Sequence, residues 1–322
     1  IFTRMTELDP GNRQPFRDLA LSNDIFGDAQ RAQGDLTGAL LSYRFGRAIN
    51  THLAELDPSN SALQRAVLVS HGRVGDVLRA LGDPAGALHE YREALAIVTR
   101  LAERDRGSIE WHEDRSLIQN RLGGLLQDQH DLAGALRAYR EARETMERLA
   151  ERVPGNTRLE RAVGVNHGLI GSVLMEQRDL AGALREFRSA LAIYTRHAEG
   201  DPSNMRSQRS LAFIHTQIGN VMDSQGDLAG ALREYGAGMA IVIRLAESDP
   251  RNAELQRDLM ATHYLLTRIY LRLGNVLEAR PHAEAALAIA RDRRARFPDQ
   301  RQTATDLAAA EDLLRRIEAD TP

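Results

Sequence analysis

The chain has 322 residues, 43% of them hydrophobic, with a formal charge of -3 and no long run of either sign. It contains no cysteine, and all 42 of its basic residues are arginine; this excludes disulfides, thiolate chemistry, Schiff-base lysines and the lysine of a phosphate-binding loop. No apolar span reaches the ~18 residues that would suggest a membrane crossing, and the charge balance offers no strong attraction to nucleic-acid phosphates.

Residues 1–8, beginning Ile1-Phe2-Thr3-Arg4-Met5 without an initiator methionine, read as the end of a helix already under way. The chain is expected to be part of a longer protein, and a cytoplasmic location is the working expectation. Beyond these residues the chain is one pattern written six times. Asp35 to Leu40 reads Asp-Leu-Thr-Gly-Ala-Leu, and this core returns at Asp83, Asp131, Asp179 and Asp227, with a decayed copy from Asn275 to Arg280. The step is 48 residues each time. A second marker keeps the step: Asp9-Pro10, Asp57-Pro58, Asp105-Arg106, Val153-Pro154, Asp201-Pro202, Asp249-Pro250 and Phe297-Pro298. Two markers in one register identify a repeat protein. The repeats are placed at 12–58, 60–106, 108–154, 156–202, 204–250 and 252–298, within a single all-α superhelical solenoid of antiparallel helix pairs.

The repeat 60–106 shows the logic. Asn60 is an N-cap for a helix carrying Leu63, Val67, Val74, Val77, Leu78 and Leu81 at helical spacing. Gly82 stops that helix, Asp83 caps the next, and Pro84 takes its first position, where a missing N–H costs nothing. The second helix presents Ala87, Leu88, Tyr91, Ala94, Leu95, Val98 and Leu101 on one side and ends near Asp105. Sister repeats place their caps at Asn12, Asn156, Asn204 and Asn252. The two helices are predicted to be about 19 and 21 residues long with short connections.

Three columns imply the packing. Gly27, Gly75, Gly123, Gly171 and Gly219 share one first-helix position, although a mid-helix glycine costs about 1 kcal/mol relative to alanine. Close approach of the partner helix at Ala39, Ala87, Ala135, Ala183 and Ala231 is the expected reason. The aromatic column Tyr43, Tyr91, Tyr139, Phe187 and Tyr235 is expected to fill the groove beside them, each tyrosine needing a partner for its hydroxyl or an edge that reaches water. The sixth repeat departs from both columns, with Thr267 for the glycine and Ala283 for the aromatic. Residues 302–318, with Leu307, Leu313, Leu314 and Ile317 on one stripe, read as a C-terminal capping helix.

With His71, Val74-Gly75, Leu78, Ala87, Tyr91 and Ala94 at these intervals, the chain resembles the tetratricopeptide repeat (TPR) family over essentially its whole length, in a long-period bacterial form. The ~14 residues beyond the family's 34-residue unit extend the outer ends of the two helices. The resemblance implies a non-enzymatic scaffold for protein–protein interaction, with first helices lining a concave groove. Carried over residue by residue, the partner-binding set is Asp24 and Asp28 in the first repeat, Asp76 and Arg79 in the second, and Asn120 and Gln127 in the third. Met175 and Glu176 supply the fourth, Phe213 and Asn220 the fifth, and Tyr264, Arg268 and Arg272 the sixth. Gly72, Gly124 and Gly168 are expected to leave the floor open at the centre, with Phe213 and Met175 as apolar contacts.

No catalytic residue, metal site or cofactor is assigned. His71, His167, His215 and His263 share one repeat position, but equivalent sites in stacked repeats lie about 10 Å apart, whereas zinc needs ligands at about 2 Å. These histidines are read as packing residues able to titrate near neutrality. Trp111, followed by His112-Glu113-Asp114, is read as the anchor of an extended first helix, since it aligns with Leu63, Leu159 and Leu255. Nucleic acid is not an expected ligand: Arg92, Arg140, Arg188 and Arg233 each stand among glutamates. The functional expectation is a scaffold taking a peptide, a protein or another domain of the same polypeptide. The alternative is an architectural spacer or self-association module.

Overall fold

The computed structural model describes residues 13–298 and 300–319, which hold thirteen helices and no strand. The helix end read at residues 1–8 and the cap at Asn12 lie outside them. The chain divides between Leu159 and Glu160 into two units, each described by itself. In the first unit α1 (Gln14–Ala32) pairs with α2 (Leu36–Leu56), α3 (Ser61–Ala80) with α4 (Pro84–Arg104), and α5 (Ile109–Asp128) with α6 (Leu132–Arg152). The division falls near the start of α7 (Thr157–Glu176). In the second unit α8 (Leu180–Gly200) contacts α9 (Met205–Gln225), which pairs with α10 (Leu228–Ser248). Then α11 (Ala253–Arg272) pairs with α12 (Val276–Arg296), and α13 (Arg301–Ala319) packs on α12. The second helix of each repeat has 21 residues.

Local chemistry explains the repeating core Asp-x-x-Gly-Ala-Leu. The aspartate caps the second helix by accepting the N–H of the glycine three residues on, at 2.8 Å for Asp35 and Gly38 and 2.9 Å for Asp83 and Gly86. A Cβ on that glycine would collide with the folded-back carboxylate in every copy from Gly38 to Gly230. In the decayed sixth copy Asn275 caps Glu278 instead, at 3.2 Å. First helices are capped by Asn60, Asn156, Asn204 and Asn252, and by Ser108 in the third repeat. The turn inside each pair passes through the left-handed region: at Gly82 (φ 77°) and three further glycines, but at His130 (φ 60°) and Arg178 (φ 63°) in the third and fourth repeats.

The glycine column has a different cause from the one expected. A Cβ at Gly75 would stand 2.6 Å from Cε1 of Tyr91, and Gly27, Gly123, Gly171 and Gly219 face Tyr43, Tyr139, Phe187 and Tyr235 in the same way. The aromatic ring itself, rather than the alanine of the partner helix, occupies the space a side chain would need. Where the ring is lost, at Ala283, a buried threonine, Thr267, replaces the glycine. The alanines Ala39, Ala87, Ala135, Ala183 and Ala231 are fully buried beside the rings. In the first unit Tyr43, Tyr91, Val74, Val77, Leu78 and Leu125 form one cluster, while Phe16, Ile49, Leu68, Val98, Trp111 and Ile118 belong to another.

Candidate functional site

The first-helix residues singled out from the sequence meet different fates in the two units. In the first, most are engaged within the repeat array. Asp28 accepts the Tyr43 hydroxyl at 2.6 Å, Asp76 that of Tyr91 at 2.8 Å, and Gln127 that of Tyr139 at 3.2 Å. Burial, then the Asp28 hydrogen bond, pushes the Tyr43 phenol up to about 12. Arg73 reaches back to Asp24 at 2.8 Å and to Asp28 at 3.5 Å, and Arg121 reaches back to Asp76 at 3.0 Å. Burial raises the Asp24 carboxyl despite the opposing pull of Arg73. Arg79 pairs with Asp128, whereas Asn120 has a buried Oδ1 without a hydrogen-bond donor.

These arginines overturn one expectation. Gly72 and Gly124 do not leave an open floor: a Cβ at Gly72 would lie 2.9 Å from Nη1 of Arg121, and one at Gly124 would lie 2.7 Å from Nη1 of Arg79. The backbone there is roofed by guanidinium groups held in ion pairs across repeats.

In the second unit, α7, α9 and α11 enclose a cleft of about 960 Å³. Gly168 lies in its wall, and the nearest atom to a Cβ built there is Cδ1 of Ile214, at an ordinary 3.7 Å. Phe213 and Asn220 line the cleft together with Val165, Ser172 and Thr216. Phe213 is 54% exposed and Val165 44%, a large apolar surface for side chains not packed in a core. Asn220 is set by the Tyr235 hydroxyl at 2.7 Å and by its own donation to Gln217 at 2.9 Å. Arg209 and its ion-pair partners Asp258 and Glu254 border the same cleft.

The remaining residues fall elsewhere. Met175 is half-buried and Glu176 exposed, and neither lines the cleft. Tyr264 packs against Ala279, Ala283, Leu313 and Ile317, so it belongs to the contact with α13. Arg268 and Arg272 flank Asp223, which joins them to α9.

The histidine column has partners that spacing along one helix does not reveal. His71, His167 and His215 each place Nδ1 against a glutamate of the paired helix: Glu90 at 2.7 Å, Glu186 at 2.6 Å and Glu234 at 2.7 Å. Burial works to raise the Glu90 carboxyl, but hydrogen bonds from His71 and Arg47 prevail and hold it down at about 2. In the sixth repeat the glutamate is replaced, and His263 meets His282 at 2.9 Å, with His282 stacked on Tyr270. Burial, then the second imidazole, lowers His263 to about 4. Among the described residues no group of three or more His, Asp or Glu side chains is arranged to hold a metal ion.

Solved structures share this arrangement of helix pairs. BtubC (BKLC) from P. vanneervenii superposes with a TM-score of 0.63 at 20% identity, over 82% of this chain and 93% of that one. The fold is TPR-like. Aspartyl phosphate phosphatase F from Bacillus subtilis gives a TM-score of 0.60 at 12% identity, over 99% of this chain and 73% of its own. A Rap protein complexed with competence and sporulation factor gives 0.52 at 17%, over 92% and 73%. At these identities the likeness is one of fold. No family model and no curated protein sequence matches the chain.

Within this TPR-like array the sequence reading missed the arginines that join neighbouring first helices. Arg65 on α3 binds Asp114 of α5 through Nε at 2.7 Å and also pairs with Glu110; Arg209 on α9 binds Asp258 and Glu254 of α11. The signal was available, because both arginines precede their two acids by 45 and 49 residues, one helix turn around the repeat length. Among the described residues no helix is long and apolar enough to cross a membrane.

Proposed function

We propose that this chain is a non-enzymatic scaffold that binds a peptide-like segment of a partner protein in the cleft among α7, α9 and α11. The observation that carries the reading is the exposed apolar pair Phe213 and Val165 in a cleft whose wall, at Gly168, no arginine crowds. Its size of about 960 Å³ suits a few side chains of a ligand, and apolar walls with a few fixed polar groups are what such pockets use. Asn220 and Ser172 supply hydrogen-bonding edges for a backbone, and the Arg209 ion pairs make a polar rim. The first unit offers less, since its first-helix face is closed by ion pairs. The similarly folded Rap protein complexed with competence and sporulation factor supports a ligand-taking role for an array of this kind.

The test is selection of peptides from a displayed random library on the immobilised chain, followed by titration against the parent and Phe213→Ala. Selected peptides are expected to weaken by about tenfold or more on the variant, as for an aromatic anchor. Phe213 is exposed, so the fold should be unaffected. If no sequence is enriched, or if affinity is unchanged by Phe213→Ala, the cleft is not the binding site. Concentration-dependent self-association under those conditions would favour the architectural reading.

A further inference from the structure

A second cleft, of about 400 Å³, lies in the first unit where the end of α4, the start of α5 and the end of α6 meet. Its charged lining is Arg106, Arg115, Arg148, Arg152, Glu103 and the half-buried His112. Four guanidinium groups thus face one carboxylate. Neither Arg106 nor Arg152 has an ion-pair partner among the described residues, and Arg148 donates only to the carbonyl of Glu144, at 3.2 Å. At the buried end, Arg115 donates from Nη2 to Oγ1 of Thr145 at 3.0 Å, while its Nε is buried with no acceptor. His112 donates from Nε2 to the carbonyl of Arg106 at 3.3 Å, and its Nδ1 is buried without a partner. Buried donors without acceptors are rare in folded proteins because their desolvation is not recovered.

The repeat supplies an internal comparison. Arg115 stands where the other repeats have Leu19, Val67, Val163, Leu211 and Leu259. Thr145 interrupts a column that is otherwise Ile49, Ile97, Ile193, Ile241 and Ile289, and Arg106 replaces the proline found at 58, 154, 202 and 250. Three departures from the pattern, at positions 106, 115 and 145, converge on one cleft. A framework position that changes from buried valine or leucine to arginine gains a charge it must solvate. Together with the unanswered Nε–H of Arg115 and an excess of cations, the change suits a bound anion better than it suits packing.

We propose that this cleft binds a multiply charged phosphate group. A single carboxylate would leave most of the guanidinium charge unmatched, whereas phosphate oxygens accept paired donors from arginines on several sides. The group could come from a small phosphorylated molecule or from a phosphorylated side chain of a partner protein. The site is independent of the α7–α9–α11 cleft.

The experiment is calorimetric titration of the whole chain at low ionic strength with inorganic pyrophosphate, with a phosphoserine peptide and its unphosphorylated form, and with acetate as the monoanion control. Saturable binding of pyrophosphate or of the phosphopeptide, without binding of acetate, is expected. The double variant Arg115→Val, Thr145→Ile restores residue types already packed at these positions in sister repeats. It should fold, as a thermal melt will show, and should bind about tenfold more weakly or not at all. Arg106→Pro, a surface change to the residue of the other repeats, is expected to weaken binding about threefold. Stronger binding of the phosphopeptide than of pyrophosphate identifies a protein source, and the reverse a small molecule. Absence of saturable binding to both probes overturns the proposal. So does an affinity unchanged in both variants, which would mean diffuse attraction to arginine.

Discussion

A methyl group placed on Gly75 would stand 2.6 Å from Cε1 of the fully buried Tyr91 ring. The ring cannot retreat, because its hydroxyl is tied to Asp76 at 2.8 Å and its neighbours Ala87 and Val74 have no solvent exposure. Gly75→Ala is therefore expected to destabilise the chain by about 2 kcal/mol through overpacking, although alanine is the better helix former by ~1 kcal/mol. In a Tyr91→Ala background the same change should become neutral or stabilising, as Thr267 opposite Ala283 already illustrates. Urea denaturation of the two singles and the double measures the coupling. A Gly75→Ala variant as stable as the parent would remove the ring as the reason for the glycine.

Arg178 turns the chain between α7 and α8 with φ at 63°, where sister repeats use Gly82 or Gly226. Side chains in that region carry a cost of ~1–2 kcal/mol, partly offset by the greater freedom of glycine in the unfolded chain. Arg178→Gly should raise stability by about 0.5–1 kcal/mol net. An unchanged or lower melting temperature would show that the arginine side chain contributes more than its backbone costs.

His263 and His282 make the sixth repeat sensitive to acid. Both are lowered by burial, His263 to about 4. The unfolded chain takes up protons at these sites below about pH 6.5, while folded His263 does not until about 4. Stability is thus expected to fall as pH drops through that window, by on the order of 2 kcal/mol after allowance for partial exposure. His263→Gln with His282→Gln should flatten this part of a stability–pH curve. An unaltered curve would place the acid sensitivity elsewhere.

Glu90 has the opposite bias and a lower window. With its carboxyl held down at about 2 by His71 and Arg47 against the effect of burial, its stabilising contribution is complete above the ordinary pKa of 4.5. It is lost as pH falls from there towards 2. Glu90→Ala leaves the Arg47 and His71 donors unanswered and should cost about 2–3 kcal/mol at neutral pH. Melting temperatures of parent and variant should converge as pH approaches about 2. A difference that persists there would assign the loss to packing instead of charge.

Legibility followed distance along the chain. The caps at Asn60, Asp83 and Asn204 and the turn at Gly82 were readable because each involves atoms only a few residues apart. The glycine column was visible, but its cause was assigned to Ala87 when the atom in contact belongs to Tyr91, one turn further along the same partner helix. Pairs such as His71 with Glu90 and Arg79 with Asp128 were not foreseen: the first bridges two paired helices and the second two repeats. The residues expected on the binding face were located on first helices by resemblance alone. Which of them are free to bind depends on neighbours that resemblance does not specify.

The amino-acid sequence by itself determined the all-helical repeat, because hydrophobic period, capping and turn chemistry are short-range and return every 48 residues. Only the tertiary structure decided that arginines crowd Gly72 and Gly124 while a Cβ at Gly168 would meet only Ile214 at an ordinary distance, and that Arg106, Arg115 and Thr145 share one cleft. The physical reason is that a long arginine side chain spans the gap to the next repeat, so the surface of one repeat is finished by side chains from another.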